Sequence, residues 1–567
     1  MNKHTAQLLE QHFDAAFAAP NGIAKLRELI LTLAMQGKLV EQDPSDPPAS
    51  ELLKEIDAEK QRLVNEGKIK QPKPLPPIKP EEVPYELPQG WEWVRLGNIG
   101  HVGSSSRVHQ RDWKEEGVPF YRAREIVKLS SLGFVKNELY ISETHYQSIA
   151  KDGLIPEAND LMITGVGTIG VPYIVKKTDR FYFKDASVLI FKNMHRLYAP
   201  FLFMFFKSPF WIERIYDGSM GTTVHTLTIS RTNEILVPLP PLSEQYRIVA
   251  RIDQLMARCD ELEKLRKERD EKRLAVHAAA IKQLLDAPNG KAWDFIQEHF
   301  GELYTVKENV TELRKAVLQL AVMGRLAPQD PNDPPVSELL KEIEAERQRL
   351  EMKKSSDLGK TTDSLDYEIP NHWEWACLND LIVYGPTNGF SPRAVDYETY
   401  IRSLTLSATT SGTFKGEHSK FIDAEIPEDS ELWLRDGDIL VQRGNTLEYV
   451  GVPAVYRGKS NVFIYPDLMM KFRVSSQMDT DYVYYAMSSV PSRNYLRVHA
   501  SGTSGTMPKI NQKILKSLPI PIPPFEEQKR IVSKVKKMLD CCEILGKSID
   551  TSLSKQKELL TALMAQV

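Results

Sequence analysis

Glycine, carboxylate and histidine spacings are where chemistry would show first in this chain, and each candidate resolves into a turn. Gly165, Gly167 and Gly170 satisfy the G-x-G-x-x-G spacing of a dinucleotide loop. The residues that follow, Val171-Pro172-Tyr173-Ile174-Val175, read as a strand, where such a site needs a helix to receive the pyrophosphate. No G-x-x-x-x-G-K-[ST] stretch occurs, so a P-loop ATPase has no support. Asp436 and Asp438 precede Gln442 and Arg443, but the matching earlier stretch has only Asp160, and a turn before a strand accounts for these carboxylates. Asp46-Pro47-Pro48 and Asp333-Pro334-Pro335 match the acidic-Pro-Pro pattern of amino-group methylation. Ala49 and Val336 stand where an aromatic ring would stack on a flipped base, so helix-starting turns explain both. The twelve histidines show no metal-ligand spacing. What remains is binding and positioning.

Two sets of loops carry residue types suited to reading DNA. Arg107, Gln110 and Arg111 are followed by Arg122, Arg124 and Lys128; later in the chain, Thr387, Asn388, Ser391 and Arg393 lead to Arg402. Arginine and lysine bond guanine edges, glutamine and asparagine bond adenine, and small hydroxyl side chains reach phosphates or bases. Glycine- and threonine-rich loops at 165–170 and 218–223, carrying Thr168 and Thr222, bring backbone N–H groups within reach of phosphates or serve as tight turns. The stretches 443–446 and 501–509, with Arg443, Asn445, Thr506 and Lys509, offer the same two readings.

The elements that must position these loops are duplicated. Pro240-Pro241-Leu242-Ser243-Glu244-Gln245 returns as Pro523-Pro524-Phe525-Glu526-Glu527-Gln528, 283 residues later in a chain of 567. Residues 26–63 match residues 313–350 at 25 of 38 positions, which is duplication. Each copy predicts a helix with Leu26, Leu29, Ile30 and Leu33 (or their counterparts) on one face, a glycine stop, a proline turn and a second charged helix capped by Ser50 in the first copy. Polar or proline-rich linkers end in Trp91-Glu92-Trp93 and Trp373-Glu374-Trp375, each a short strand pattern. Beyond these the halves diverge into domains of short strands broken by Gly and Pro: 118–121, 185–191 and 235–239 in one, 462–474 and 518–522 in the other. After each domain a long helix is expected. Ile248, Ile252, Leu255, Cys259 and Leu262 form a narrow seam, answered by Ile531, Val535, Met538, Cys542, Leu545 and Ile549, as in a two-helix coiled coil.

The resulting division is 1–86 (helical frame and linker), 87–242 (variable domain), 243–286 (long helix), 287–368 (second frame and linker), 369–525 (second variable domain) and 526–567 (second long helix). Bulk properties fit a globular protein without a membrane span, and four cysteines in no ligand or disulfide spacing favour a reducing compartment. The polar, charged start has no secretory pattern. Net charge is −3, and Lys plus Arg against Asp plus Glu is 18 to 15 over residues 91–240 and 15 to 16 over residues 373–523. A duplex binder with that balance must sort its cations onto one face or borrow them from a partner.

The repeated frame, the Pro-Pro-x-x-Glu-Gln junctions, the Trp-Glu-Trp starts and the strand-loop stretches 161–170 and 439–446 together resemble the specificity (S) subunit of a type I restriction-modification enzyme, over essentially the whole chain. The resemblance implies an α/β (α+β) architecture: two target recognition domains of mixed, mainly β character, separated by long antiparallel coiled-coil helices in a pseudo-twofold repeat. It implies a non-catalytic subunit in a bacterial or archaeal cytoplasm, with each domain reading one part of a split, asymmetric DNA sequence. Two modification subunits would bring S-adenosylmethionine and adenine N6 methylation, and two restriction subunits ATP, magnesium and cleavage; none of these cofactors would bind this chain. Leu26, Leu33, Leu313 and Leu320 are then candidates to touch the modification subunits or to pack within the frame. The residues by themselves also admit a duplicated protein-binding scaffold, or a nucleic-acid enzyme whose active site follows no recognised pattern.

Overall fold

In the computed structural model, residues 3–66, 74–151, 153–193, 197–217, 225–286, 290–350, 365–501 and 507–566 are described. They divide into two compact units, residues 1–268 with 553–567, and residues 269–552. Each unit holds helices that belong to the repeated frame and one recognition domain built on two small sheets.

In the first unit, the helix Gly22–Met35 buries Leu29, Ile30, Leu31, Ala34 and Met35. It stops in a Schellman turn, with Lys38 N–H donating to Leu33 O at 2.8 Å and Gly37 N–H to Ala34 O at 3.2 Å. Gly37 has φ +65°, and a Cβ there would lie 2.4 Å from Pro88 Cγ, so the turn both demands glycine and seats the recognition domain. Gly324 repeats the arrangement, with φ +67° and Pro370 Cγ at 2.4 Å. Ser50 does not cap the second frame helix. That helix, Ala49–Asn65, starts from Pro48 without a side-chain cap. The N–H of Ala49 instead donates to Gly90 O at 2.8 Å, so the start of the helix is capped by the chain entering the recognition domain. The Asp46-Pro47-Pro48 turn is tied to the long helix by Arg247 at 2.6 Å, and Asp333 is held in the same way by Arg530 at 3.2 Å.

The first recognition domain is closed by pairing its first strand with its last. Glu92–Arg95 runs antiparallel to Leu236–Leu239, with Glu92 opposite Leu239. Between them lies a four-stranded sheet in the order His101–Ser104, Val188–Lys192, Leu161–Thr164, Pro172–Ile174. Beside it, Val118–Tyr121 runs parallel to Tyr182–Phe183 and antiparallel to Tyr140–Ile141. The strands are short and nearly all buried, so the glycine and proline breaks seen in the sequence are the turns of this compact sheet. The long helix Leu242–Asp286 leaves directly from the closing strand. Its seam residues Ile248, Ile252 and Cys259 share a core with Ile30, Ala34 and Trp91, whereas Leu262 and Leu274 lie exposed.

The second unit repeats this plan. Glu374–Cys377 pairs antiparallel with Pro519–Ile522, and the helix Phe525–Met564 follows. Its four-stranded sheet has the matching order Ile382–Asn388, Met469–Val474, Ile439–Gln442, Pro453–Val455. The smaller sheet holds Ser419–Ile422, Ile401–Leu404 and Phe463–Ile464. The two domains therefore share a strand plan despite dissimilar sequences.

Both sequence signatures meet at one clasp. Trp91 Nε1 donates to Glu244 Oε2 at 2.9 Å, and Trp373 Nε1 to Glu527 Oε2 at 3.1 Å. The neighbouring glutamines bind the domain: Gln245 Oε1 accepts from Tyr198 N–H at 3.2 Å, and Gln528 Oε1 from Asp479 N–H at 3.0 Å. All four motif residues on the long helices are buried, so the Pro-Pro-x-x-Glu-Gln segment is a joint between domain and helix.

Candidate nucleic-acid interface

In each recognition domain, loops from distant parts of the sequence converge at one end of the four-stranded sheet. Antiparallel register places Ser104 opposite Leu189 and Thr164 opposite Val188, so loops 105–112, 165–170 and 185–187 emerge together. Gly165 N–H donates to Ser187 O and Leu227 N–H to Gly165 O, both at 2.8 Å, which brings residues 225–227 to the same place. In the second domain Asn388 stands opposite Met470 and Gln442 opposite Met469. Arg443 N–H donates to Leu468 O at 2.8 Å, and Asn445 N–H to Pro508 O at 3.3 Å. Loops 388–393, 443–446, 465–468 and 507–510 form the matching cluster.

Buried charges sit toward the opposite end of each four-stranded sheet, away from the loops. Lys192 Nζ lies 2.7 Å from Asp160 and 2.6 Å from Glu157. In the second domain Asp438 lies 2.6 Å from Arg473 and 3.4 Å from Lys471, and both Asp438 and Lys471 are wholly buried. Burial pulls the Lys471 ammonium below its ordinary range, and the nearby carboxylates of Asp438 and Glu431 oppose that pull. Burial likewise raises the Asp160 carboxyl against the opposing effect of Lys192. Asp438 Oδ2 also accepts from Arg435 N–H at 2.8 Å, so this one carboxylate both closes the turn before the strand and holds the internal ion pair.

The expected reading residues fall into two groups. Arg107, Gln110 and Arg111 sit on the exposed loop of the first domain; the Arg111 side chain is 83% exposed, and that of Arg107, 75% exposed, comes within 4.0 Å of Asp185. Thr168 is exposed at the tip of the glycine loop. In the second domain Asn388, Ser391, Arg393, Arg443, Asn445 and Lys509 lie on the converging loops. Ser391 Oγ accepts from Asp467 N–H at 3.1 Å, Arg443 donates to Asp467 O at 3.3 Å, and Asn445 Nδ2 donates to Gln442 Oε1 at 2.6 Å. Thr222 and Thr506 lie outside the described residues.

The other group is engaged within the protein. Arg122 and Arg124 each bond Glu125 at 2.7 Å, and both also meet Glu138. Burial pushes the Glu125 carboxyl up, but bonds from the two arginines more than reverse this. Lys128 extends from the same helix, Ala123–Leu132, into solvent. Thr387 shares a 2.8 Å hydrogen bond with the buried Tyr465 hydroxyl. Arg402 is half-buried in the smaller sheet, its guanidinium 5.6 Å and 5.4 Å from the Phe421 and Phe463 ring centres. Its strand register is that of the buried Phe120 in the first domain. Replacing Arg111 with Ala is expected to weaken binding of an assembled complex to its cognate duplex and to flatten the salt dependence by about one counterion for each phosphate bond removed. Replacing Arg402 with Ala is expected to lower the unfolding midpoint instead. Salt-titrated binding together with melting separates the two.

Phe390, Leu447 and Met507 add exposed apolar surface to the second cluster. Sequence reasoning passed over Leu447 and Met507, whose single apolar side chains form no periodic pattern. Leu26 and Leu33, partly buried, pack with Ala16, Phe17 and Leu560, and Leu313 and Leu320 are buried along a groove with Trp293 and Met538. Among the described residues no group of three or more His, Cys, Asp or Glu could hold a metal, and no helix is long and apolar enough to cross a membrane.

Two unlike loop clusters on duplicated frames define a two-module recognition protein. Residues 88–270 and 370–552 match the type I restriction modification DNA specificity domain. The chain is 31% identical to the EcoEI specificity subunit of Escherichia coli, covering 96% of this chain and 93% of that protein. It is 32% identical to the EcoAI specificity subunit of the same species, with the same coverage of both chains. The chain belongs to the type I restriction-modification specificity family. It is the non-catalytic, DNA-sequence-recognising component of such a complex.

Proposed function

We propose that each loop cluster reads one part of a bipartite, asymmetric DNA sequence, and that the long helices fix the unread gap between the parts. The observation that carries this reading is the repeated strand order and register, from which dissimilar side chains emerge: Arg107, Gln110, Arg111 and Thr168 in one domain, Asn388, Arg393, Arg443 and Lys509 in the other. Like scaffolds with unlike loops read unlike sequences. A helix of 45 residues is about 68 Å long, ample to hold two modules one turn of B-DNA apart, roughly 34–36 Å between half-site centres.

Two modification subunits complete the site for methylation in this reading, with S-adenosylmethionine as donor and the flipped adenine held in their pockets. Two restriction subunits bring ATP and magnesium. The near-neutral recognition domains favour shared phosphate contacts, with the modification subunits supplying cations that this chain lacks. The assembly works in the cytoplasm, where host DNA is marked and foreign DNA is cut.

The test is binding by this chain mixed with its modification partner, on genomic fragments carrying methylated sites and on random duplex. Preference for the genomic fragments is the expected result. Equal binding to both, or binding to the partner with none to DNA, would favour a protein scaffold.

A further inference from the structure

We infer that the clasp at the foot of each recognition domain sets the direction in which the long helix leaves, and so the length of the DNA gap, which makes Trp91, Glu244, Trp373 and Glu527 positioning residues. This inference rests on the bipartite reading and identifies the side chains that would transmit spacing. The first turn of each long helix is held at two points on different elements of its own domain. The glutamate accepts from the indole at the start of the domain, at 2.9 and 3.1 Å. The glutamine accepts from the N–H just ahead of a domain helix, Ala199–Phe205 in one unit and Thr480–Ser488 in the other, at 3.2 and 3.0 Å. The same glutamines donate to Pro240 O at 3.1 Å and Pro523 O at 3.0 Å. One attachment would leave the helix free to swing about it; two, joined to the closing strand, fix both tilt and rotation.

The glutamates are buried, where a hydrogen bond to a carboxylate is strong and leaving a donor or acceptor unmet is costly. The remaining partners differ. Gln42 donates to Glu244 Oε1 at 3.1 Å, whereas His372 pairs with Glu527 Oε2 at 2.9 Å. Both halves thus keep the indole bond while varying the rest. Leverage makes the angle matter: a tilt of about 5° at the foot moves the end of a helix about 60 Å long by about 5 Å, more than the roughly 3.4 Å rise of one base pair.

The test uses the full chain assembled with its modification partner, and duplexes that keep both read elements while the gap is lengthened or shortened by one or two base pairs. Trp91→Phe keeps the ring and removes the donor; Glu244→Gln keeps an acceptor for the indole. For Trp91→Phe, the preference in methylation rate for the native gap over its neighbours should fall by roughly tenfold, with discrimination within each read element unchanged. Glu244→Gln should retain most of that preference. His372→Ala removes an exposed donor from the second clasp and should loosen the preference in the same direction, giving the same readout if Trp91→Phe fails to assemble. Equal slowing on every gap, with the native preference intact, overturns the positioning role. A wild-type complex with no gap preference would instead refute the bipartite reading itself.

Discussion

Exchanging residues 96–235 for the corresponding segment of a relative with a different target should replace one read element and leave the other unchanged. The cut points fall just inside the strands that close the domain, Glu92–Arg95 and Leu236–Leu239, so the Trp91–Glu244 bond and the long helix are retained, and the incoming segment supplies the N–H that takes the place of Tyr198 opposite Gln245. Everything that faces outward from the first loop cluster, including Arg107, Gln110, Arg111 and Thr168, lies within the exchanged segment. Each mismatched base pair costs about 1–3 kcal/mol. A read element of several base pairs is therefore expected to switch by on the order of 10³-fold or more. Methylation of duplex libraries randomised over one half-site at a time measures the change. A chimera that alters both elements, or neither, contradicts a modular interface.

The second large effect concerns stability. Removing the Asp438 carboxylate by substitution to Ala leaves the wholly buried Lys471 ammonium without its nearest charged partner inside the fold. Glu431, 3.9 Å away and partly exposed, replaces it poorly. Breaking a buried pair from one side typically costs about 3–5 kcal/mol. Asp436, two residues earlier, has a 65% exposed side chain and meets Arg457 at 3.5 Å, so its substitution to Ala should cost less than about 1 kcal/mol. Denaturant unfolding of the two variants should differ clearly in midpoint. Equal and small losses would show that the strand Ile439–Gln442 does not depend on its internal charges. Because that strand delivers Arg443 and Asn445 to the loop cluster, Asp438→Ala is also expected to weaken DNA binding through disorder of the loops.

Local sequence carried much of the fold. The duplicated frame, the long helices and the strands at 118–121 and 235–239 all depend on patterns within a few residues, and the structure forms them at nearly those bounds. The function of the repeated motifs was harder to read, because the bond from Trp91 to Glu244 spans 153 residues and no periodicity announces it. Ser50 illustrates the same limit. Its position suits a cap, but a carbonyl 41 residues away, that of Gly90, takes the N–H of Ala49. The candidate interface divides likewise. Arg111 and Asn388 are exposed and lie where loop composition suggests. Arg122 and Arg124 look equally available in sequence, yet Glu138 folds back on them from the far side of a helix. Arg402 is a cation in type and a packed strand residue in position, which only the pairing of its strand with Phe463–Ile464 reveals.

The central claim, that two unlike modules read two separated elements on one duplex, is tested most directly by mapping methylated bases across the host genome with and without this gene. The account predicts methylated adenines at one asymmetric sequence of two parts around a gap of fixed length, all lost when the gene is absent. An unchanged methylation pattern, or loss confined to a single uninterrupted sequence, would contradict it.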